Sequence, residues 1–167
     1  MYLFMKFRID IQENFLEKNH LEEITQFILS EQFPWYVSGV TGMYDSKKHF
    51  FHSFYNNNNI NSPYFDLIKN IITKLNPITL HRVKLNLIPK SNSIIEHDYH
   101  KDNQSPNLTS SLFYINTNNG YTKFENGKKI NSTANKIVSF PSNVLHHGTT
   151  CTDKEFRIAL NMVYVNK

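Results

Sequence analysis

Residues 121–130 read Tyr121-Thr122-Lys123-Phe124-Glu125-Asn126-Gly127-Lys128-Lys129-Ile130, two short alternating runs joined by Asn-Gly. Asn-Gly tolerates the positive φ angles of a two-residue type I′ turn, so this stretch predicts a β-hairpin with strands at 121–125 and 128–130. Working outward, β-branched and aromatic runs separated by turn residues recur at 78–87, 94–99, 108–115, 136–140 and 156–165. In the last run Phe156, Ile158, Leu160, Met162 and Tyr164 make one wholly apolar face, expected to pack on helices. Arg157, Ala159, Asn161 and Val163 make the other face. This series predicts an antiparallel barrel or a double-sheet jelly roll.

The front of the chain reads differently. Asn19, with Glu22 three residues on, predicts a capped helix carrying Leu21, Ile24, Phe27 and Ile28 on one face. Ser62-Pro63 predicts a second helix with the stripe Phe65, Ile68, Ile71, Ile72 and Leu75, stopped by Asn76-Pro77. Between them, 35–37 and 49–55 read as strands around a glycine turn at Gly39 and Gly42. The fold class expected is mainly β with supporting α-helices. Residues 1–167 form one domain, with 1–77 as support and 78–167 as the β core. The run Asn56 to Asn59 is ascribed to compositional abundance of asparagine.

Composition narrows the function classes. A length of 167 residues with 40% hydrophobic content is enough to bury a core. Mean hydropathy of −0.47 and the lack of a long apolar run predict no membrane span. No secretory signal is seen and Cys151 is the single cysteine, which fits a reducing, intracellular (cytoplasmic) setting. The net charge of +4 is spread out, with no basic cluster longer than the pairs Lys47-Lys48 and Lys128-Lys129, so nucleic acid is not the expected partner. Cys151, in the 148–153 loop, has no evident activating base.

Eight histidines are the more informative feature. His20, His49, His52 and His81 have no partners at chemically suggestive spacing and are expected to be packing or surface residues. His100 and Asp102 are two apart, so on a strand they would share a face and could converge on one ion. One further imidazole would complete a facial triad with open metal positions, and His146-His147-Gly148 offers it. Arg157, inward on the last strand, is costly to bury without an anion. Its planar fork suits a bidentate carboxylate, from a ligand or from an internal ion pair.

The order His100-x-Asp102, Tyr114-Ile115-Asn116, Phe140-Pro141-x4-His146-x-Gly148, Arg157-x-Ala159 resembles the iron(II)/2-oxoglutarate-dependent dioxygenases. Within them it is most similar to the prolyl-4-hydroxylase-like branch, including small phage and viral members. The resemblance implies a double-stranded β-helix (a cupin-like jelly roll), with His100, Asp102 and His146 holding Fe(II). It places the 5-carboxylate of 2-oxoglutarate on Arg157 with the Tyr114 hydroxyl, and Asn86 facing the same cavity. It also implies ascorbate as a reductant, succinate and CO2 as co-products, and a peptidyl proline, small metabolite or nucleobase as substrate. Phe-Pro-x4-His and His-x-Gly spacing favours His146 over His147 as the distal ligand. His97 has Tyr99 at the position where a carboxylate is needed. Two other classes compete: a non-catalytic jelly-roll binding module, and a zinc hydrolase, for which no general base is evident. Segments 35–36 and 49–59 read equally as a peptide groove or lid and as edge strands packed on the barrel.

Overall fold

The structure, a computed structural model, describes residues 7–38 and 49–167. The turn expected at Gly39 and Gly42, and the pair Lys47-Lys48, lie outside these residues. Strand β1 (Asp10–Gln12) precedes helix α1 (Lys18–Ile28), then come β2 (Tyr36–Val37), β3 (Phe50–Asn56), β4 (Asn59–Ile60) and helix α2 (Lys69–Leu75). The remainder is strands: β5 (Thr79–Pro89), β6 (Thr109–Tyr114), β7 (Tyr121–Phe124), β8 (Lys129–Asn131), β9 (Lys136–Pro141), β10 (His146–Gly148) and β11 (Phe156–Val165).

All strand pairs are antiparallel. The larger sheet runs β1-β9-β6-β11-β5-β3-β2 with β4 on β3, and the smaller runs β10-β7-β8. The expected jelly roll is therefore present; β2 and β4 end the larger sheet, and β3, between them and β5, is an interior strand. Alternation along β11 separates two cores. Ile158, Leu160, Met162 and Tyr164 pack with Ile24, Ile28, Ile68 and Ile71 from the helical layer. On the opposite side Ala159 joins Leu112, Tyr114, Phe124, Val138 and Phe140, drawn from both sheets. Only side chains from the second face can reach the space between the sheets.

Four local expectations are corrected. The 124–128 turn carries positive φ only at Gly127 (84°), with Gly127 N donating to Phe124 O at 2.8 Å and Phe124 N to Lys128 O at 2.9 Å. That is a three-residue loop closed by a left-handed glycine, not a type I′ turn. The two-residue turn with positive φ at both centres is instead Asn57 (49°) and Asn58 (63°), joining β3 to β4. The asparagine run thus has a conformational role, since asparagine is the non-glycine residue best suited to that region. Asn19 lies inside α1, whose first residue follows Glu17 with no side-chain cap. Ser62 accepts the Tyr64 N–H (3.0 Å) and opens a 3-10 turn over Phe65–Ile68 before α2 begins, while Asn76 (φ 53°) ends α2 as expected.

Segment 94–99 is not a strand. It lies along β10 through single bridges, Glu96 opposite Thr149 and His100 opposite His146. Four steps on one side face three on the other, so an extra residue breaks the ladder. Its consequence is at the site, because it re-aims the residues that follow.

Candidate metal centre and anion pocket

His100 and His146 are fixed by reciprocal backbone bonds: His100 N donates to His146 O at 2.9 Å and His146 N to His100 O at 3.0 Å. Asp102 sits in a bend just beyond, so the backbone bend, rather than strand alternation, turns its carboxylate back toward the imidazoles. His100 Nε2 lies 4.0 Å from Asp102 Oδ1, and His146 Nε2 lies 3.7 Å from Asp102 Oδ2. One potential ligand atom from each residue falls within 4.8 Å of the others.

The protonation states suit a cation. His146 Nδ1 is 3.0 Å from Val144 O, so its N–H is spent on a carbonyl and Nε2 is left with a lone pair. Burial pushes the His146 pKa down, against the attraction of Asp102. For Asp102 burial pushes the other way, but His146, Arg82 and the Asn161 amide outweigh it and hold the carboxyl below its ordinary range. Arg82 Nη2 donates to Asp102 Oδ1 at 3.0 Å and Asn161 Nδ2 to Asp102 Oδ2 at 2.9 Å. Arg82 Nη2 also donates to Asn161 Oδ1 at 2.8 Å, closing a triangle that fixes the carboxylate plane.

His147 is turned elsewhere. Its Nδ1 is 3.0 Å from Gly148 O, its Nε2 is 3.5 Å from Glu96 Oε2, and Tyr99 packs edge-on against the ring at 4.5 Å between centroids. Of the two adjacent histidines, His146 alone joins the cluster.

Arg157 is buried, at 5% exposure, and opens the same cavity from the start of β11. Nε donates to Ser132 Oγ at 2.8 Å and Nη2 to Thr122 Oγ1 at 3.0 Å. Its guanidinium carbon lies 5.6 Å from the centre of the Tyr114 ring. Among the described residues no carboxylate is within ion-pair distance, so an internal ion pair does not explain it. Burial pushes its pKa down, opposed by Tyr114. Gly120 and Gly148 make room for the side chain, since a Cβ on them would stand 2.7 Å from Arg157 Cδ and 3.0 Å from Nη1.

Tyr114 is fully buried, and its hydroxyl donates to Thr122 Oγ1 at 2.8 Å. Thr122 and Arg157, but not Tyr114, line the cavity. A hydroxyl that accepts from both Tyr114 and Arg157 keeps its own proton to donate. The cavity is about 500 Å³ and also takes in Asn86, Asp102, His100 and His146. It includes His49 as well, for which sequence spacing offers no partner.

The other singled-out groups are structural. His52 Nδ1 donates to Pro34 O at 2.8 Å and its Nε2 accepts from the Ser62 hydroxyl at 2.7 Å, in a ring cluster with Phe33 and Phe54. Cys151 is buried, and burial pushes its thiol pKa up. Arg82, Asn161, Thr122 and Ser132 escaped the motif reading. The inward register of β5 and β11 is the signal that could have found Arg82 and Asn161. No helix is long and apolar enough to cross a membrane among the described residues.

Comparison with solved structures adds the fold family. An oxygenase of the 2OG-Fe(II) family from Burkholderia pseudomallei matches with TM-score 0.72 and 13% identity over 94% of this chain and 84% of that one. The fold is that of the iron(II)/2-oxoglutarate oxygenases. A prolyl hydroxylase from Trichoplax adhaerens, solved with a hypoxia-inducible-factor peptide, matches with TM-score 0.70 and 15% identity over 95% and 83% of the two chains. The viral collagen prolyl hydroxylase of Paramecium bursaria Chlorella virus-1 matches with TM-score 0.58 and 13% identity over 94% and 90%. No family model matches the chain, and no curated protein matches it in sequence.

Proposed function

We propose that this protein is an iron(II)- and 2-oxoglutarate-dependent dioxygenase that hydroxylates a C–H bond. The observation that carries this reading is one cavity holding the His100–Asp102–His146 cluster together with a buried arginine that has no carboxylate partner among the described residues. Two neutral imidazoles and one carboxylate are the donor set of non-haem iron, and they leave coordination positions open. A cation with one protein carboxylate keeps enough positive charge to attract an anionic cosubstrate. When bound, iron(II) supplies the activation of O2 that couples oxidative decarboxylation of 2-oxoglutarate to hydroxylation. One oxygen atom ends in succinate and the other in the substrate hydroxyl.

The chain's own residues divide the remaining work. His100, Asp102 and His146 would hold the metal, and Arg82 with Asn161 would keep Asp102 in one orientation. Arg157 would pair with the 5-carboxylate, and the free Thr122 proton would donate to the same group. Tyr114 would act through Thr122 by fixing which way that proton points. Asn86 would line the cosubstrate wall. Ascorbate would serve as reductant. A peptidyl proline is the first substrate to examine, supported by the peptide-bound prolyl hydroxylase of the same fold. A free amino acid or another small metabolite comes next.

Anaerobic calorimetry tests the reading. Iron(II) should bind at one equivalent per chain, and 2-oxoglutarate should bind only to the metal-loaded protein. Binding of 2-oxoglutarate that ignores both metal and the Arg157→Gln substitution would overturn it.

A further inference from the structure

The inner face of β5 presents Arg82, Lys84, Asn86 and Ile88 to the cavity, while Val83, Leu85 and Leu87 pack toward the helices. The cations around this wall outnumber their counterions. Arg82 is held by Asp102. Arg157, under the oxygenase reading on which this inference rests, takes the 5-carboxylate of 2-oxoglutarate. With iron(II) and the doubly negative cosubstrate in place, the charges of metal, Asp102, cosubstrate, Arg157 and Arg82 sum to +1, because the one carboxylate cannot neutralise both Arg82 and the metal. At the rim, Lys101 and Asp98 are of opposite sign.

Lys84 adds a second uncompensated charge. It is half-buried, and its Nζ lies 4.9 Å from the centre of the Phe51 ring. Among the described residues no carboxylate is within ion-pair distance of it. The strand register sets it opposite Asn161, the residue that holds Asp102, and sets Ile88 opposite Arg157. Four residues of strand separate Lys84 from Ile88, about 13 Å at 3.3 Å per residue. The anion on Arg157 therefore leaves Lys84 unanswered, and Lys84 stands at the metal end of the cavity, where a substrate must come.

We propose that Lys84 is a specificity-determining residue and that the primary substrate carries an anionic group, a carboxylate or a phosphate, which Lys84 binds while the reacting C–H bond faces the His100–Asp102–His146 cluster. A neutral substrate would seal that cation into the cavity with only the Phe51 ring against it and no carboxylate in ion-pair reach among the described residues, which is costly. An anionic one turns the same cation into an anchor that fixes orientation, the main task left to the protein in a reaction of this kind.

The test uses the full chain with iron(II), ascorbate and 2-oxoglutarate, and a panel of acids each beside its neutral counterpart. One arm holds free amino acids and their amides. A second holds phosphate monoesters and their parent alcohols. A third holds proline peptides with Glu or Asp and with Gln or Asn. Succinate formed above the substrate-free level is the activity readout. Equilibrium binding of the best member to zinc-loaded, 2-oxoglutarate-bound protein is the second readout. Acids should stimulate at least tenfold better than their counterparts, and the responding arm identifies the source of the anion. Lys84→Met should raise the KM of the best member and weaken its binding at least tenfold, with substrate-free succinate formation and 2-oxoglutarate affinity within twofold of wild type. Lys84→Arg should restore most of the loss. A neutral member as effective as its acid, no response to any acid, or unchanged binding by Lys84→Met overturns the proposal. A wild-type protein that neither binds 2-oxoglutarate with metal nor forms succinate overturns the oxygenase reading itself, and this inference with it.

Discussion

Gly120 offers a sharp test of how the arginine pocket is built. A methyl group added there would meet Arg157 Cδ at 2.7 Å, Asn118 Oδ1 at 2.8 Å and the Thr150 carbonyl oxygen at 2.8 Å. The carbonyl belongs to the backbone and cannot swing away, and Asn118 is tied by its acceptance of the Gly120 N–H at 3.0 Å. The arginine is the part that must move, toward the cavity. Overpacking of this kind costs about 1–3 kcal/mol. For a chain of this size each kcal/mol lowers Tm by about 2–4 °C, so Gly120→Ala should melt roughly 2–12 °C below wild type. Displacement of Arg157 should also weaken 2-oxoglutarate binding to the metal-loaded protein while metal affinity stays put. Gly127→Ala is the control, because nothing lies within 4 Å of its added methyl and only its φ of 84° is strained. That strain costs about 1–2 kcal/mol, with no effect on 2-oxoglutarate. Differential scanning calorimetry and binding calorimetry read both quantities. A Gly120→Ala protein that melts with wild type and binds 2-oxoglutarate equally well would refute this account of the pocket.

Other perturbations separate the remaining roles. Arg82→Met should lower metal affinity about 10- to 100-fold, the usual effect of removing a group that orients a ligand, measured by chelator competition. His147→Gln should keep metal affinity within about threefold, whereas His146→Gln should abolish stoichiometric binding; equal losses would contradict the separation of the two rings. Metal-free protein should lose stability on acidification. His146 and His52 both have pKa values lowered by burial in the folded state. The unfolded chain therefore takes up protons near the ordinary pKa of about 6.5 that the folded chain refuses. Stability is complete above that value and falls as pH drops below it. Asp102, whose folded pKa is depressed, withdraws its own share only in more acid solution, below the ordinary carboxylate range. Thermal melts of the metal-free protein from about pH 8 to about pH 5 should show this slope, reduced by His146→Gln with the His52 share remaining.

Much of the architecture was legible because sheet burial is periodic. The alternation in β11 assigned Phe156, Ile158, Leu160, Met162 and Tyr164 to the helical layer and Arg157 to the interior; the last four apolar residues and Arg157 lie there, whereas Phe156, at the strand's start, is 38% exposed and outside that core. What alternation could not supply was backbone irregularity. The extra residue that breaks pairing between 96 and 100 leaves no mark in composition, yet it decides how Asp102 meets the histidines. Turn type was misread for a similar reason. Asn126-Gly127 and Asn57-Asn58 are both compatible with positive φ, and the length each loop takes depends on pairing in the flanking strands. Arg82 and Asn161 were hidden because their partner, Asp102, is far from both in sequence. Only the register of β5 against β11 places them together. Spacing favours His146 over His147, and the His146 ring lies with His100 and Asp102 while that of His147 faces Glu96.

The central claim is that His100, Asp102 and His146 form a metal site that serves 2-oxoglutarate turnover. The direct measurement is succinate formation by wild type and His100→Ala, side by side with iron(II), O2 and 2-oxoglutarate, with iron per chain determined on the same samples. Wild type should bind one iron and form succinate, and His100→Ala should form little or none. Equal succinate from the two proteins would contradict the claim.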